Sequence, residues 1–304
     1  MMHTTTWLSA ALLAAALSAP PAAAAPPPTP AGIDEQAFYP EGPTLWQEAL
    51  YWAEMSAHRV RRYRGGKAET VWESSGCGPT SVKRDAGRGF WILCHLAHQV
   101  VLVDNAFKEK ARFDRDDAGA ALAWPNDATS DAAGRLYFSS AGVFDLDAPA
   151  TGRVMFIDTG HRVRAIAQGL RYANGVVLDP AQKRLFVSEH LARRIHVLEL
   201  SAPGVVGMRR VFFDFDKGGV PRAKYPLAGP DGLRVIGNEL FVAEYGAGRL
   251  HAIGLDGVLR RTIEVPVPYV TNMEHWPSRK LLVVVGTYDN NSRTLEGRVL
   301  SMRQ

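Results

Sequence analysis

The stretch Leu136-Tyr137-Phe138-Ser139-Ser140 recurs in related form six times along this chain of 304 residues. The other copies are 50–54 (LYWAE), 91–95 (WILCH), 185–189 (LFVSE), 240–244 (LFVAE) and 282–286 (LVVVG), which begin 41 to 55 residues apart. These runs are short, rich in aromatic and β-branched residues, and lack the 3.6-residue period of a helix. Each copy therefore predicts a buried β-strand.

A second strand follows each copy, and turn signals such as Asp131-Ala132-Ala133-Gly134 precede several of them. Repeats of about 40–50 residues with about four strands each are typical of a β-propeller, in which each sheet buries its faces against its neighbours. The sequence therefore predicts an all-β fold, a six-bladed β-propeller formed by residues 33–304. The last copy has only three strands before the chain ends, and we expect residues 33–39 to supply its outer strand and close the ring.

The N-terminal segment differs in composition from the repeats. Residues 1–25 contain no Asp, Glu, Lys or Arg, and their apolar run at 7–19 is shorter than the roughly 20 residues that span a bilayer. This pattern predicts a secretory signal peptide at 1–25, followed by a Pro-rich spacer at 26–32. The mature protein is then exported, periplasmic or secreted, with no membrane span. Because the segment has no Lys or Arg before its apolar run, an uncleaved Ala-rich tail is the alternative.

The overall charge argues against one class of partner. The net charge is +4, and Lys and Arg form no sustained run, so the sequence predicts no nucleic-acid binding and favours a monomer acting on a small molecule. Two cysteines allow one disulfide at most. Cys77 and Cys94 flank one predicted hairpin, and the sequence leaves open whether they are bridged or remain free thiols, because cross-strand geometry is demanding.

The openings of the innermost strands carry oxygen-bearing side chains at matched places in four repeats. In a propeller these openings converge on one rim of the central channel, although they are distant in sequence. Two carboxylates and two amide oxygens form a hard ligand set, and their charges balance one divalent cation. Such a set suits Ca²⁺ or Mg²⁺, with Mn²⁺ and Zn²⁺ as further possibilities; calcium is the cation that the family resemblance described next implies. Taken singly, each motif is also an ordinary turn sequence. The expected metal ligands are Glu41, Asn126, Asn174 and Asp231.

These motifs resemble the senescence marker protein/gluconolactonase/luciferin-regenerating enzyme superfamily of six-bladed propellers. The matching stretches are 41–46 (EGPTLW), 125–127 (PND), 134–138 (GRLYF), 174–176 (NGV) and 230–233 (PDGL). The resemblance implies that a divalent cation lies on the same four residues, that lactones are hydrolysed, and that Asp231 acts as general acid or base. Two departures concern the substrate: Trp124 stands where sugar-lactone members often carry Arg, and Glu274-His275-Trp276 replaces a Phe-Gly-Gly stretch.

The ends of the second strands are expected at the same rim as the metal ligands. The alternative for each glutamate there is an ion pair with a nearby Arg such as Arg193 or Arg249, and for each histidine a structural hydrogen bond. The candidate substrate-binding residues are Trp124, His95, Glu189, His190, Glu244, Tyr245 and His275.

The sequence thus favours a metal-dependent hydrolase of a lactone or related ester. In this hypothesis the cation polarises the carbonyl, and Asp231 is the general base that deprotonates water, with His275 or Glu274 as the next candidates. One alternative is a non-enzymatic propeller in which the cation only stabilises the blades and the rim binds a ligand or protein, since propellers serve both uses. Another is a different metal-dependent reaction, such as that of an isomerase, hydratase or phosphotriesterase.

Overall fold

The computed structural model describes residues 31–303. The predicted signal peptide and residues 26–30 of the predicted spacer lie outside the described residues. The first strand begins at Ala31, so the last two residues of the predicted spacer already belong to the fold. No helix within 31–303 is long and apolar enough to cross a membrane.

Six antiparallel four-stranded units make up residues 31–303, which confirms the predicted six-bladed propeller. The pair Tyr245 and Tyr269 joins blades 5 and 6 into one eight-stranded sheet. Blade 1 consists of β2 (Pro40–Trp46), β3 (Ala49–Glu54), β4 (Arg59–Arg64) and β5 (Lys67–Glu73). Blade 2 consists of β6 (Pro79–Asp85), β7 (Gly89–Cys94), β8 (Gln99–Asp104) and β9 (Glu109–Phe113). Blade 3 consists of β10 (Pro125–Ser130), β11 (Leu136–Ser140), β12 (Gly152–Ile157) and β13 (Val163–Leu170). Blade 4 consists of β14 (Ala173–Leu178), β15 (Arg184–Glu189), β16 (Arg194–Ala202) and β17 (Val205–Asp214).

Blade 5 consists of β18 (Gly229–Ile236), β19 (Glu239–Tyr245), β20 (Arg249–Gly254) and β21 (Leu259–Glu264). Blade 6 takes β22 (Tyr269–Trp276), β23 (Leu281–Thr287) and β24 (Glu296–Arg303) from the end of the chain. Its outer strand is β1 (Ala31–Phe38), which pairs antiparallel with β24. The N-terminal strand therefore closes the ring, as the sequence predicts, and pairs the edge of β24 that would otherwise be open. Two short 3-10 turns, His190–Ala192 and Pro277–Arg279, complete the secondary structure of the described residues.

The recurring apolar stretch forms the second strand of every blade. These strands are buried almost throughout, because both of their faces pack against neighbouring blades. Between blades 2 and 3, for example, Trp91 and Leu93 pack with Phe138 and Met155. A strand that is covered on both faces has no solvent side, which explains a continuous apolar run in place of alternation.

The structure resolves the state of the two cysteines. Cys77 and Cys94 form a disulfide, with their Cα atoms 4.5 Å apart. Cys77 precedes the inner strand β6, and Cys94 ends the second strand β7 of the same blade. The bridge therefore fastens blade 2 at the rim from which its inner strand starts.

Candidate functional site

A β-bulge at the start of the inner strands directs the predicted ligands into the channel. The pairing of inner and second strands is interrupted between Pro125 and Ala128 in blade 3, and between Ala173 and Val176 in blade 4. The same interruption follows Pro230 in blade 5. A bulge of this kind turns side chains out of the regular alternation of a strand. Asn126, Asn174 and Asp231 all lie within these interruptions, as Gly42 does after Glu41 in blade 1.

Glycines after two of the ligands allow the inner strands to approach each other. A Cβ atom at Gly175 would lie 2.2 Å from the backbone oxygen of Asp231, and one at Gly232 would lie 2.3 Å from Cγ of Asn272. Neither contact is possible for a larger residue. The pairs Asn174-Gly175 and Asp231-Gly232 are therefore more than ordinary turn sequences. Their glycines allow the strands that carry the predicted ligands to lie close together around the channel.

The four predicted ligands line one cavity at this rim. Its volume is about 140 Å³. The lining residues are Tyr39, Glu41, Met55, Thr80, His95, Asn126, Phe144, Tyr172, Asn174, His190, Asp231, Tyr245 and Asn290.

The two carboxylates of the set are buried and oppose each other electrostatically. Burial raises the pKa of Glu41 well above its ordinary value, and the negative charges of Asp231 and Asp127 add to the effect. Burial and the charge of Asp127 likewise raise the pKa of Asp231, although the backbone N–H of Gly232 and the side chain of Asn174 hydrogen-bond its carboxylate. Neither carboxylate forms an ion pair with Lys or Arg within residues 31–303. A cation bound between them would stabilise the ionised form of both carboxylates.

An amide oxygen in the same cavity has no partner inside the protein. Oδ1 of Asn174 is buried and makes no hydrogen bond in the described part of the chain. An unpaired buried acceptor is costly unless something outside the protein satisfies it. Together with the two buried carboxylates and the side chain of Asn126, it forms an all-oxygen donor set that fits Ca²⁺ or Mg²⁺. No group of three or more His, Cys, Asp or Glu that could hold a metal occurs in residues 31–303, because only two of the four predicted ligands are acids.

Two predicted histidines face the cavity in their neutral form. Nδ1 of His95 donates to the Pro125 carbonyl at 3.1 Å, and Nε2 of His190 donates to the Leu227 carbonyl at 2.9 Å. Burial lowers the pKa of each imidazole to about 4, against the opposing effect of these carbonyls. Nδ1 of His190 is buried without a hydrogen-bond partner.

Aromatic rings form one wall of the cavity. Phe144 lies 4.7 Å from the ring of Tyr172, 5.3 Å from His190 and 6.5 Å from Tyr245, measured between ring centres. The hydroxyl of Tyr39 donates to that of Tyr245 at 3.1 Å. Burial raises the pKa of all three tyrosines, which therefore stay protonated.

Strand alternation explains why two other predicted residues do not reach the cavity. Successive side chains of a strand point to opposite faces. Tyr245 and His190 face the cavity, so the preceding Glu244 and Glu189 point into the interior of the blades. Glu244 pairs with Arg193, Arg249 and His251, and Glu189 with His196 at 2.7 Å. Glu244 therefore takes the alternative stated above, ion pairs with Arg, whereas the side-chain partner of Glu189 is a histidine. Neither carboxylate belongs to the cavity lining.

Trp124 also lies outside the cavity lining. Its ring packs against the ring of His98 at 4.6 Å between centres, and the side chain is half-buried. The aromatic residues at the corresponding place in other blades are Tyr39 and Tyr172, each two residues before a predicted ligand. All three have positive φ angles near 50–60°. These two tyrosines line the cavity, whereas the tryptophan does not.

His275 and Glu274 lie at the opposite end of the channel from the predicted ligands. The inner strand of blade 6 begins at Tyr269, so residues 274–276 form its far end. The indole of Trp276 donates to Glu48, which lies in the turn that ends β2 away from the cavity. Glu274 forms a buried ion pair with Arg234. The prediction that His275 binds substrate, with Glu274 or His275 as a reserve general base, is therefore wrong, because the inner strand of blade 6 begins at Tyr269 and not at Glu274.

Several lining residues were missed by the sequence reasoning. Met55 follows Glu54 in blade 1 as Tyr245 follows Glu244 in blade 5. The alternation of side chains along these strands could therefore have predicted its place in the lining. Tyr39 and Tyr172 could have been found from their spacing to the ligands. Phe144 lies in the loop between β11 and β12, which carries no sequence signal of where it folds.

A buried polar cluster that the sequence did not predict lies beside the ligands. Asp127 accepts hydrogen bonds from Ser81 at 3.1 Å and from Asn272 at 3.1 Å, and the ammonium of Lys83 lies 3.8 Å from it. Lys83 also donates to the Pro43 carbonyl at 2.8 Å, and burial lowers its pKa to about 8. These contacts link the inner strands of blades 1, 2, 3 and 6 and hold the channel in shape.

Comparison with known proteins gives a consistent result. The sequence model described as the SMP-30/gluconolactonase/LRE-like region matches residues 39–284. A gluconolactonase from Xanthomonas campestris superposes with a TM-score of 0.73 at 21% identity, covering 90% of this chain and 89% of that one. A luciferin-regenerating enzyme gives 0.73 at 18% identity, covering 91% and 95%. A calcium-binding protein, regucalcin, from Agrobacterium tumefaciens strain C58 gives 0.73 at 16% identity, covering 91% and 94%. At these identities the structures support the fold.

Proposed function

Because this chain belongs to the SMP-30/gluconolactonase/LRE-like family, we propose that it is a metal-dependent hydrolase of a lactone or related ester. The observation that carries the proposal is the unsatisfied donor set of the cavity. Glu41 and Asp231 are buried carboxylates with raised pKa values, and Oδ1 of Asn174 has no partner in the described residues. These side chains and Asn126 would hold one divalent cation, and calcium is the cation that we propose.

A cation bound there would supply Lewis-acid polarisation of the substrate carbonyl. Asp231 is proposed as the general base: its carboxylate takes a proton from water while the water oxygen bonds to the carbonyl carbon. The ring C–O bond then breaks, and the same proton passes to the departing alkoxide. The Gly232 N–H and the Asn174 side chain hold the carboxylate in place. Met55 and Phe144 are the apolar residues of the same lining.

Export of the protein is proposed alongside this function. The charge-free N-terminal segment of the sequence supports it, and so does the Cys77–Cys94 disulfide, since such bridges persist in oxidising compartments. Mass spectrometry of the protein from its native host should show a mature start near residues 24–26. An intact Met1 on the folded protein would contradict export by cleavage.

The function is tested with a panel of lactones and aryl esters on protein that has been stripped with a chelator. We expect turnover to return on addition of Ca²⁺, with Mg²⁺, Mn²⁺ and Zn²⁺ tested in parallel. Glu41→Gln should weaken calcium binding in calorimetry, whereas Asp256→Asn, an exposed turn residue of blade 5, serves as the matched control. Hydrolysis that is indifferent to chelator and to Glu41→Gln would refute a metal-dependent reaction at this site.

A further inference from the structure

One tyrosine hydroxyl of the cavity contacts the side chain of a proposed ligand. Tyr172 lies two residues before Asn174, and it belongs to the cavity lining. The side-chain amide of Asn126 donates to the Tyr172 hydroxyl at 3.3 Å. The hydroxyls of Tyr39 and Tyr245 hydrogen-bond each other instead. Among the lining tyrosines, Tyr172 is therefore the one that adjoins the proposed donor set of the cation.

The direction of this hydrogen bond follows from the proposed role of Asn126. An amide carries an acceptor oxygen and a donor nitrogen on the same carbon, so an oxygen that faces a cation leaves the nitrogen to donate elsewhere. The nitrogen donates to Tyr172, whose phenol oxygen is thereby the acceptor. A phenol also carries one proton, and the structure gives this proton no acceptor within residues 31–303. The O–H of Tyr172 is therefore a donor that remains free in the cavity.

The phenol of Tyr172 is kept protonated and held in a fixed direction. Burial and the negative charges of Asp231 and Glu41 raise its pKa, so the proton stays on the oxygen at neutral pH. The ring lies 4.7 Å from that of Phe144 and 5.9 Å from that of His190, measured between ring centres. The backbone carbonyl of Tyr172 also accepts from the N–H of His190 at 3.0 Å. A donor that is fixed in advance where negative charge develops lowers a reaction barrier without reorganisation.

We propose that Tyr172 is a catalytic residue whose phenol O–H donates a hydrogen bond to the carbonyl oxygen of the substrate. The inference rests on the proposed function and goes beyond it by assigning a donor for this oxygen. The carbonyl oxygen is the substrate atom that the cation would polarise, and the Tyr172 hydroxyl adjoins a side chain proposed to hold that cation.

The hydrogen bond changes in strength during the reaction, whereas the phenol keeps its proton. When water adds to the carbonyl carbon, the π electrons of the C=O bond move to the oxygen, and the hydrogen bond strengthens as negative charge grows there. The electrons return when the ring C–O bond breaks. The proton transfers therefore stay with Asp231, as proposed above.

The kinetic test is Tyr172→Phe, which keeps the ring and removes only the hydroxyl. Rates are measured in saturating calcium with the lactone that the wild-type protein turns over fastest. We expect kcat to fall by roughly a hundredfold and KM to change little, because the hydrogen bond strengthens only as charge develops. Tyr63→Phe is the matched control: it removes the same atom from a half-buried ring of β4 that packs against Trp276 at the other end of the channel, and it should leave both constants unchanged.

A binding measurement separates this role from a purely structural one. Calorimetry in saturating calcium uses two six-membered rings that are not hydrolysed. One is a cyclic phosphonate, which carries a negative oxygen like that of the tetrahedral intermediate, and the other is 2-piperidone, a lactam with a neutral carbonyl. Tyr172→Phe should weaken binding of the phosphonate by roughly tenfold or more and binding of 2-piperidone by less, since hydrogen bonds to charged groups are the stronger ones.

The outcomes distinguish failure of this inference from failure of the proposed function. Selective loss of phosphonate affinity in Tyr172→Phe supports the donor even if no lactone is hydrolysed, in which case the proposed function alone falls. Weaker calcium binding with a normal kcat at saturating calcium would mean that the hydroxyl only orients Asn126, which overturns the inference while leaving lactone hydrolysis intact. Unchanged phosphonate affinity, equal losses for the two rings, or a wild-type protein that binds neither ring would also overturn it.

Discussion

The substitution Asp231→Asn should affect stability differently with and without calcium. Asp231 is about 4% exposed, and its charge faces those of Glu41 and Asp127 without an ion-pair partner in residues 31–303. Asn keeps the shape and one oxygen ligand, but removes the negative charge and the proton acceptor. In chelator the variant should therefore be the more stable protein.

The size of the effect follows from the burial. The carboxylate accepts hydrogen bonds from the Gly232 N–H and the Asn174 side chain, so what remains uncompensated is its buried charge. A buried group left uncompensated costs about 1–3 kcal/mol, so Asp231→Asn should raise the free energy of unfolding in chelator by about that amount. Calcium at about 100 times its Kd adds about 2.7 kcal/mol to the wild-type protein. The variant binds calcium more weakly and gains less, so its advantage should shrink in calcium, and the order of stabilities reverses once the lost calcium stabilisation exceeds that advantage. Turnover of any lactone that the wild-type protein hydrolyses should fall by roughly two to four orders of magnitude.

The assay is urea unfolding of both proteins in chelator and in calcium, together with initial rates. Because the pKa of Asp231 is raised in the folded state, the folded protein binds more protons than the unfolded chain above about pH 4. The chelated wild-type protein should therefore lose stability as pH rises, and the advantage of the variant should shrink as pH falls. Loss of stability on Asp231→Asn in chelator, or near-normal turnover at saturating calcium, would refute the reasoning.

Three further predictions concern stability. Replacing Cys77 and Cys94 together by Ala should lower the free energy of unfolding by about 3 kcal/mol, since the bridge closes a loop of 17 residues; the variant should then be insensitive to reductant in denaturant titrations. The pKa values of His95 and His190 are lowered to about 4 in the folded protein, so these residues take up protons first in the unfolded chain as the pH falls. The free energy of unfolding should therefore decrease between about pH 6.5 and about pH 4, by up to about 3 kcal/mol for each ring. In calcium-saturated unfolding curves, His95→Gln should reduce this dependence on pH. Glu244→Gln should cost about 3–5 kcal/mol of unfolding free energy through its buried ion pairs, with kcat/KM of the folded fraction unchanged; lost turnover in a fully folded sample would restore a substrate role for this residue.

The fold was predictable because its determinant is repeated. Each copy of the apolar stretch must be covered on both faces, and neighbouring copies of the same stretch are the available cover. The closing strand was predictable for a related reason, since blade 6 lacks an outer strand and residues 33–39 are left over at the other end of the chain. The structure places that strand at Ala31–Phe38, shifted slightly from the predicted 33–39.

The convergence of the ligands was predictable, whereas most of the cavity wall was not. Asn126, Asn174 and Asp231 follow from their place at the strand openings, which the repeat fixes. For the second strands, the repeat predicts which end lies at the cavity but not which side chains there point into it. Glu244 is adjacent in sequence to Tyr245, and only the strand's alternation decides which of the two faces the cavity. Phe144 depends on the path of a loop, which neither repeat nor alternation determines.

The structure separates the ligands from the wall, and this separation bears on how specificity arises in such a site. The proposed ligands belong to bulges of the inner strands, which are held by close approach at Gly175 and Gly232 and allow little change. The wall comes from the ends of second strands and from the loop that carries Phe144, where a side chain can change without moving an inner strand. A substitution in the wall should therefore alter the preference among lactones while calcium affinity stays the same. A substitution among the proposed ligands should alter calcium affinity and lower the turnover of every lactone alike. Measuring calcium affinity and lactone preference for the same variant therefore assigns its residue to the wall or to the ligand set.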